Sequence, residues 1–287
     1  MILKGGWLKL QIPTLTTANG MSLPQIGFGT YKLNGALGVN AINSALNCGY
    51  RLIDTAFNYE NEGTVGEAIR RSGIAREQII ISSKLPGRHH HYEEALTTIQ
   101  ESLYRAGLDY YDLYLIHWPN PKENLYVEAW QALITAQKLG LVREIGVSNF
   151  LPAHINRLIS ETGVKPAVNQ IELHPYFSEP ELRVFDQQNK ILTWAWSPLG
   201  RASSVLNDPI IAGIADDVQR SIGQVILRWE IQLGVLPIPK STHTSRQIEN
   251  LNIFDFQLSG EQMQTITNLD RPDGRLQNQD PAEYEEF

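Results

Sequence analysis

Short runs of Ile, Val and Leu alternate along the chain with longer stretches in which apolar residues recur every three or four positions. The runs are Arg51-Leu52-Ile53, Ile79-Ile80-Ile81, Leu113-Tyr114-Leu115-Ile116, Glu144-Ile145-Gly146-Val147, Ala167-Val168, Ile191-Leu192-Thr193-Trp194 and Val235-Leu236-Pro237-Ile238. Their length and composition predict strands buried on both faces. Between them, Leu96, Ile99, Leu103 and Ala106 share one helical face, as do Ala129, Leu133, Ala136 and Leu139. These spacings predict amphipathic helices, which Gly107 and Gly140 are placed to stop. Alternating β and α segments predict a parallel sheet, either open or closed into a barrel.

The polar residues that end the apolar runs decide between the two. Asp54, Lys84, His117 and Asn149 fall at near-even intervals of 30, 33 and 32 residues, and Gln170 ends the next run. Regular units with polar strand ends fit a (β/α)8 barrel, whose active site sits at the C-terminal mouth. An open doubly wound sheet calls for a Gly-rich turn after an early strand, and neither G-x-G-x-x-G nor G-x-x-x-x-G-K-[ST] occurs. The fold expected is therefore α/β, a TIM barrel, as a single domain over residues 1–287, a length near the ~250 residues usual for that architecture. From about Asn268 the chain turns polar, with Pro272, Gly274 and Pro281, which predicts a non-helical tail.

Composition narrows the function. Hydrophobic residues make up 42% and charged residues 19%, a globular mixture. A net charge of −7 argues against coating nucleic acid or an anionic membrane, although a local basic cluster can still hold an anionic cofactor. The single cysteine, Cys48, excludes an internal disulfide and a multi-cysteine zinc site, and fits a reducing compartment. Met1 to Leu10 carries two lysines and no apolar run of signal-peptide length, and no stretch nears the ~20 apolar residues that span a bilayer. A soluble cytoplasmic protein is expected.

Three strand ends bring a carboxylate, an ammonium and an imidazole to one rim, and Tyr59 follows on the loop after Asp54. Asp54-Thr-Ala-Phe-Asn-Tyr59, Ser83-Lys84-Leu85, Asp112-Leu-Tyr-Leu-Ile-His117-Trp118-Pro119 and Gly146-Val-Ser-Asn-Phe150 resemble motifs of the aldo-keto reductases, in that family's order and spacing. So do Asn169-Gln170-Ile-Glu-Leu-His-Pro175, Trp196-Ser-Pro-Leu-Gly200 and Ile238-Pro-Lys-Ser241. The resemblance runs from about Gln25 to Asp270. The short chain, its His-Trp-Pro and its Ser-Lys-Leu-Pro-Gly motif look most like the bacterial branch related to 2,5-diketo-D-gluconate reductases. It implies an N-terminal β-hairpin cap over about residues 1–24 and a short C-terminal tail, about 268–287, over the barrel mouth.

The resemblance implies a catalytic tetrad of Asp54, Tyr59, Lys84 and His117. Carbonyl reduction needs a hydride at carbon and a proton at the developing alkoxide. Tyr59 is the implied proton donor, with Lys84 expected to lower its pKa from the usual ~10 by stabilising phenolate. Asp54 pairs with Lys84, and His117 orients the substrate carbonyl. Taken singly, each residue has a bland reading: a structural ion pair, a core histidine, a loop aromatic.

NADPH is the implied cofactor. Ser148, Asn149 and Gln170 match positions that hydrogen-bond the nicotinamide carboxamide, a group that both donates and accepts. Trp196 stands where the family places an aromatic, most often Tyr, to stack on the nicotinamide. Ser197 and Leu199 are expected at the pyrophosphate. Lys240, Ser241 and Arg246 resemble the clamp for the ribose 2′-phosphate, and Glu249 and Asn250 match the adenine positions. Phe28, Tyr31, Phe57 and Trp118 are expected walls of the pocket for a small carbonyl substrate. Arg275 or the acidic end of the tail can reach the rim, or the end is disordered.

His89-His90-His91 lacks acidic or cysteine partners at ligand spacing, so no metal is assigned. Cys48 reads as a small core residue, and Glu172 with His174 as braces of the rim. A barrel aldolase with Lys84 as Schiff base and a non-catalytic NADPH-binding subunit are the competing readings. Within the family, monomer is the expected state; neither substrate nor direction follows from the residues.

Overall fold

The computed structural model describes residues 12–202 and 204–287. Met1 to Leu10, and with it the start of the expected cap, lies outside the described residues. Strands β1 (Thr14–Thr16) and β2 (Ser22–Pro24) form an antiparallel hairpin with Leu15 opposite Leu23. Then β3 (Phe28–Gly29) opens a parallel sheet. It continues through β4 (Leu52–Asp54), β5 (Ile80–Leu85), β6 (Tyr111–Ile116), β7 (Val142–Ser148), β8 (Val168–Glu172), β9 (Leu192–Trp196) and β10 (Leu236–Pro237). Each strand is hydrogen-bonded to the next in chain order, which is the winding of a barrel. Gly27 N–H donates to Pro237 O at 3.0 Å and Gly29 N–H to Pro239 O at 3.1 Å, so the first strand meets the last and the sheet closes. Closure leaves no open edge.

Helices follow the strands: α1 (Gly35–Cys48), α2 (Glu62–Ser72), α3 (Tyr92–Ala106), α4 (Tyr126–Lys138), α5 (Pro152–Thr162) and α6 (Pro180–Gln188). Two of them, α7 (Pro209–Val218) and α8 (Ile222–Gln232), fill the span from β9 to β10, and α9 (Thr244–Leu251) and α10 (Gly260–Thr267) complete the ring. Gly107 and Gly140 adopt φ values of 62° and 78° just past α3 and α4, the left-handed conformation that ends a helix at least cost in glycine.

Alternation along the strands explains the polar strand ends. Leu52, Leu113, Leu115, Val168, Trp194, Leu236 and Ile238 form one buried cluster inside the barrel. Counting by two from these positions carries the inward row to Asp54, His117, Gln170 and Trp196, with Lys84 beside Leu115 in register. Leu23 of the hairpin joins the same cluster and plugs the end opposite the mouth. A Cβ at Gly146 would lie 2.7 Å from Leu115 Cδ2 and 2.8 Å from Val168 O, so the inner row has no room for a side chain there.

The expected strands all form; β5 and β8 run four residues past their apolar runs toward the mouth, and β10 is two residues shorter than its run. The exception is β3, only two residues long and flanked by Gly27, which leaves no apolar run to read. The polar tail begins where expected: α10 ends at Thr267, and a short 3₁₀ turn at Leu276–Asn278 is the next regular segment. No helix among the described residues is long and apolar enough to cross a membrane.

Candidate active site

The inward row delivers Asp54 from the end of β4, Lys84 from β5 and His117 from just past β6. Lys84 is wholly buried, and its ammonium donates to Asp54 Oδ1 at 2.8 Å, to Asp54 Oδ2 at 2.7 Å and to Thr55 O at 2.8 Å. Three donors thus meet three acceptors, as a buried cation requires. Gln170 Nε2 donates to the same carboxylate at 3.0 Å. Burial pushes Lys84 below the usual lysine range, against the raising effect of Asp54.

Tyr59 ends the 3₁₀ turn Phe57–Tyr59 that follows β4. Lys84 Nζ lies 5.2 Å from its ring centroid, the His117 ring 5.9 Å and the Tyr31 ring 5.1 Å away. The structure brings all four tetrad residues together. It corrects the direction of the Tyr59 shift. Desolvation raises the phenol well above its usual range, helped by the charges of Asp54 and Glu286, with Arg201 opposing. Burial thus keeps the proton on the resting phenol.

Ser148 Oγ donates to Gln170 O at 2.8 Å, and Asn149, at φ 61°, donates from Nδ2 to His117 O at 3.0 Å. Trp196 Nε1 donates to Asn149 Oδ1 at 2.7 Å, which fixes the indole plane at the mouth. From Asp54, Tyr59 and His117 a cavity of about 1330 Å³ runs past Ser148, Asn149, Gln170, Trp196, Ser197 and Leu199 to Lys240, Ser241, Arg246, Glu249 and Asn250. Gln247 Nε2 ties the far end together, donating to Ser241 O at 2.9 Å and Ala41 O at 3.0 Å. Ser221 Oγ, at the start of α8, donates to Glu249 Oε1.

The family model for the Aldo/keto reductase family matches residues 25–271. 2,5-Diketo-D-gluconic acid reductase B of Corynebacterium sp. (strain SHS752001) is 48% identical over 276 residues, covering 96% of this chain and 99% of that protein. The chain belongs to the aldo/keto reductase family. Methylglyoxal reductase DkgA of Yersinia pestis is 41% identical over 260 residues, covering 90% of this chain and 93% of that one. The crystal structure of a Gox0644 mutant in complex with NADPH superposes with a TM-score of 0.91 at 39% identity, covering 96% of this chain and 99% of that chain.

In this aldo/keto reductase, Tyr31 and Trp118 line the cavity as expected, but Phe28 and Phe57 do not. Phe28 packs edge-on against Tyr50 in the core, with ring centroids 5.2 Å apart. The Phe57 ring turns away from the mouth and lies 3.9 Å beneath the Arg105 guanidinium. Both orientations follow from side-of-strand parity and local turn geometry, to which a motif is blind. The three adjacent histidines diverge: His89 Nδ1 meets Thr98 Oγ1 at 2.9 Å, His90 is buried with its pKa pushed down to about 4 by desolvation, and His91 Nδ1 lies 3.5 Å from Glu128 Oε2. Cys48 is half-buried against the core at the end of α1. Glu172 Oε1 accepts from Leu276 N at 2.6 Å and lies 3.0 Å from His174 Nε2, bracing the tail.

Several lining residues, Arg88 among them, carry no signal in the motifs. Lys32 lies beside Lys240, and Arg201 stands over the Tyr31 and Trp196 rings at 5.8 and 5.5 Å. Both adopt positive φ, 62° and 51°, which aims them in a way that sequence does not reveal. Glu286, in the acidic end of the tail, also lines the cavity. Its carboxylate lies 2.7 Å from His117 Nδ1, off the N–H axis, and accepts from Gly87 N at 3.1 Å. His117 and Gly87 hold that carboxylate below its usual range despite burial. Of the two tail candidates, the acidic end reaches the mouth. Arg275 instead stacks on Phe177 at 4.5 Å, outside the cavity.

Proposed function

We propose that this aldo/keto reductase uses NADPH to reduce small aldehydes, ketones or dicarbonyls to alcohols, with Tyr59 as proton donor. The observation that carries the reading is the buried Asp54–Lys84 pair beneath a protonated Tyr59, beside His117, at the mouth of one long cavity. The cofactor's fit is supported by that cavity's charge. Lys32, Arg201, Lys240 and Arg246 line it on a chain of net charge −7. Burial pushes the Lys240 ammonium down, and neighbouring Lys32 adds to the push, a repulsion that a bound anion relieves.

Lys240, Ser241 and Arg246 hold the 2′-phosphate, Arg246 through its planar fork at the N-terminus of α9. Glu249 and Asn250 face the adenine, and Ser197 and Leu199 the pyrophosphate. Ser148, Asn149 and Gln170 take the carboxamide, and Trp196 stacks on the nicotinamide. Bound along these residues, NADPH would supply a hydride for the carbonyl carbon. Tyr59 gives its proton to the carbonyl oxygen as charge develops there, and regains it from solvent. Asp54 keeps Lys84 charged, and that ammonium stabilises Tyr59 as it becomes phenolate during the transfer. His117 donates to the carbonyl oxygen and fixes its approach, while Tyr31 and Trp118 wall the substrate.

The aldolase reading finds no support, because a Schiff-base lysine must be neutral and reachable, and Lys84 is buried in an ion pair. The chain acts as one domain over its whole length, in the cytoplasm and as a monomer. A single half-buried cysteine supports a reducing compartment, and the family resemblance supports the monomer. The test is loss of NADPH absorbance with methylglyoxal and a panel of simple aldehydes. Turnover supports the reading. Tight NADPH binding without turnover of any carbonyl would refute it in favour of a sensor, and borohydride trapping on Lys84 in favour of an aldolase.

A further inference from the structure

The proteins similar to this one carry names of both an oxo acid and a neutral dicarbonyl, and a tail residue of this chain lies beside the reacting groups. Glu286 is the second-last residue, yet it is only 8% exposed. Its backbone is clasped on both sides by one side chain: Asn120 Nδ2 donates to Glu286 O at 2.9 Å, and Glu286 N donates to Asn120 Oδ1 at 3.1 Å. Tyr284 packs on Trp118 with ring centroids 4.5 Å apart, and Lys122 N donates to Glu285 Oε1 at 2.6 Å. A Cβ at Gly87 would collide with Asn120 and with the Glu286 carbonyl, so the loop after β5 carries glycine where the tail crosses it. These contacts seat the carboxylate against His117 at 2.7 Å, on the wall of the catalytic cavity.

The groups at the mouth are already engaged with one another. Lys84 is held by Asp54, and the Glu286 carboxylate lies against the His117 ring, so neither side chain is open to a substrate carboxylate. His90, the other imidazole near Glu286, is buried and uncharged at neutral pH. Arg88, which donates to Asn58 Oδ1 at 2.6 Å, and Arg201 also line this cavity, and both are exposed, where solvent and salt screen them far more than a buried carboxylate.

Resting on the reductase reading, we propose that Glu286 is a specificity-determining residue: its buried carboxylate at the wall beside His117 selects neutral carbonyl substrates over carboxylated ones. Substrates such as unsubstituted aldehydes and neutral dicarbonyls enter without an electrostatic penalty. An oxo acid brings a second anion into a poorly screened site where a buried carboxylate already lies against the imidazole.

The test uses the full-length protein with NADPH and two aldehydes of near-equal shape, 4-nitrobenzaldehyde and 4-carboxybenzaldehyde. The quantity read is the ratio of kcat/KM for the carboxylate to that for the nitro compound, in the wild type, Glu286→Gln and Glu286→Asp. Comparing the ratio between proteins removes the intrinsic reactivity of the aldehydes. Glu286→Gln keeps an acceptor for Gly87 and removes the charge. It is expected to raise the ratio about tenfold, the Coulomb effect of one unit charge about 7 Å away through an effective dielectric of about 40. Glu286→Asp keeps the charge and is expected to keep the wild-type ratio. An unchanged ratio in Glu286→Gln, with NADPH affinity retained, overturns the assignment of Glu286 and leaves the reductase reading standing. No turnover of either aldehyde by the wild type overturns both together. Equal ratios in the Gln and Asp variants, both raised, overturn the charge argument in favour of shape.

Discussion

Replacing Asp54 by asparagine isolates the buried ion pair on which the catalytic mouth is built. In the wild type the Lys84 ammonium finds three acceptors within 2.8 Å, two of them on Asp54. The carboxamide of Asp54→Asn offers one oxygen, which Gln170 also approaches, and turns an N–H₂ donor toward the ammonium. The substitution therefore leaves a wholly buried cation without its counter-charge, a change that costs about 3–4 kcal/mol. For a chain of 287 residues that corresponds to a fall of about 5–7 °C in Tm, taking an unfolding entropy of about 2.1 cal/mol/K per residue. The assay is thermal unfolding by circular dichroism of Asp54→Asn, Lys84→Met and the double variant. The double variant is expected to be more stable than Asp54→Asn alone, because the charge that suffers is gone. The pH dependence has a definite sign. Lys84 has a folded pKa below its unfolded value, so between the two the unfolded chain binds more protons and stability rises with pH. The deficit of Asp54→Asn is therefore largest near neutrality and shrinks as pH rises toward about 10, the ordinary lysine range. An Asp54→Asn variant as stable as the wild type at neutral pH, or a double variant less stable than Asp54→Asn, would refute the account.

Tyr59→Phe is expected to lower kcat for carbonyl reduction about a hundredfold or more while NADPH affinity, read by tryptophan quenching, stays within about twofold. Near-normal turnover would remove Tyr59 as proton donor. Arg246→Ala is expected to weaken NADPH by about tenfold or more and NADH far less, since only NADPH carries the charge that the guanidinium meets; equal weakening would argue against a 2′-phosphate contact. Because the Tyr59 phenol is held well above its usual range, reduction is expected to persist undiminished through about pH 9, below the ordinary phenol pKa. Alcohol oxidation, which needs the phenolate as base, is expected to climb over the same interval, and a reduction rate that falls from neutrality upward would contradict the raised phenol.

Local regularity carried the parts of this protein that depend on near neighbours. A strand exposes alternate residues to the same side, so apolar runs that end in Asp54, Lys84, His117, Asn149 and Gln170 state both the strands and the rim they point to. Seven motifs in register then pointed to the chemistry expected at that rim and to the segment from Lys240 to Asn250 proposed for the cofactor. What lay beyond reach has three physical sources. The β3 strand is two residues beside a glycine, held by pairing to β4 and β10 rather than by its own pattern. The aim of Phe28, Phe57, Lys32 and Arg201 depends on parity and on left-handed backbone, which only the closed barrel fixes. The direction of the Tyr59 shift is a sum of burial and distant charges, among them Glu286, which meets its clasp on Asn120 across 166 residues of chain. Desolvation and long-range contact exist only once the chain has folded, so the sequence determined which groups gather at the mouth, and the tertiary structure decided how burial shifts Lys84 and Tyr59 and which tail carboxylate lies beside His117.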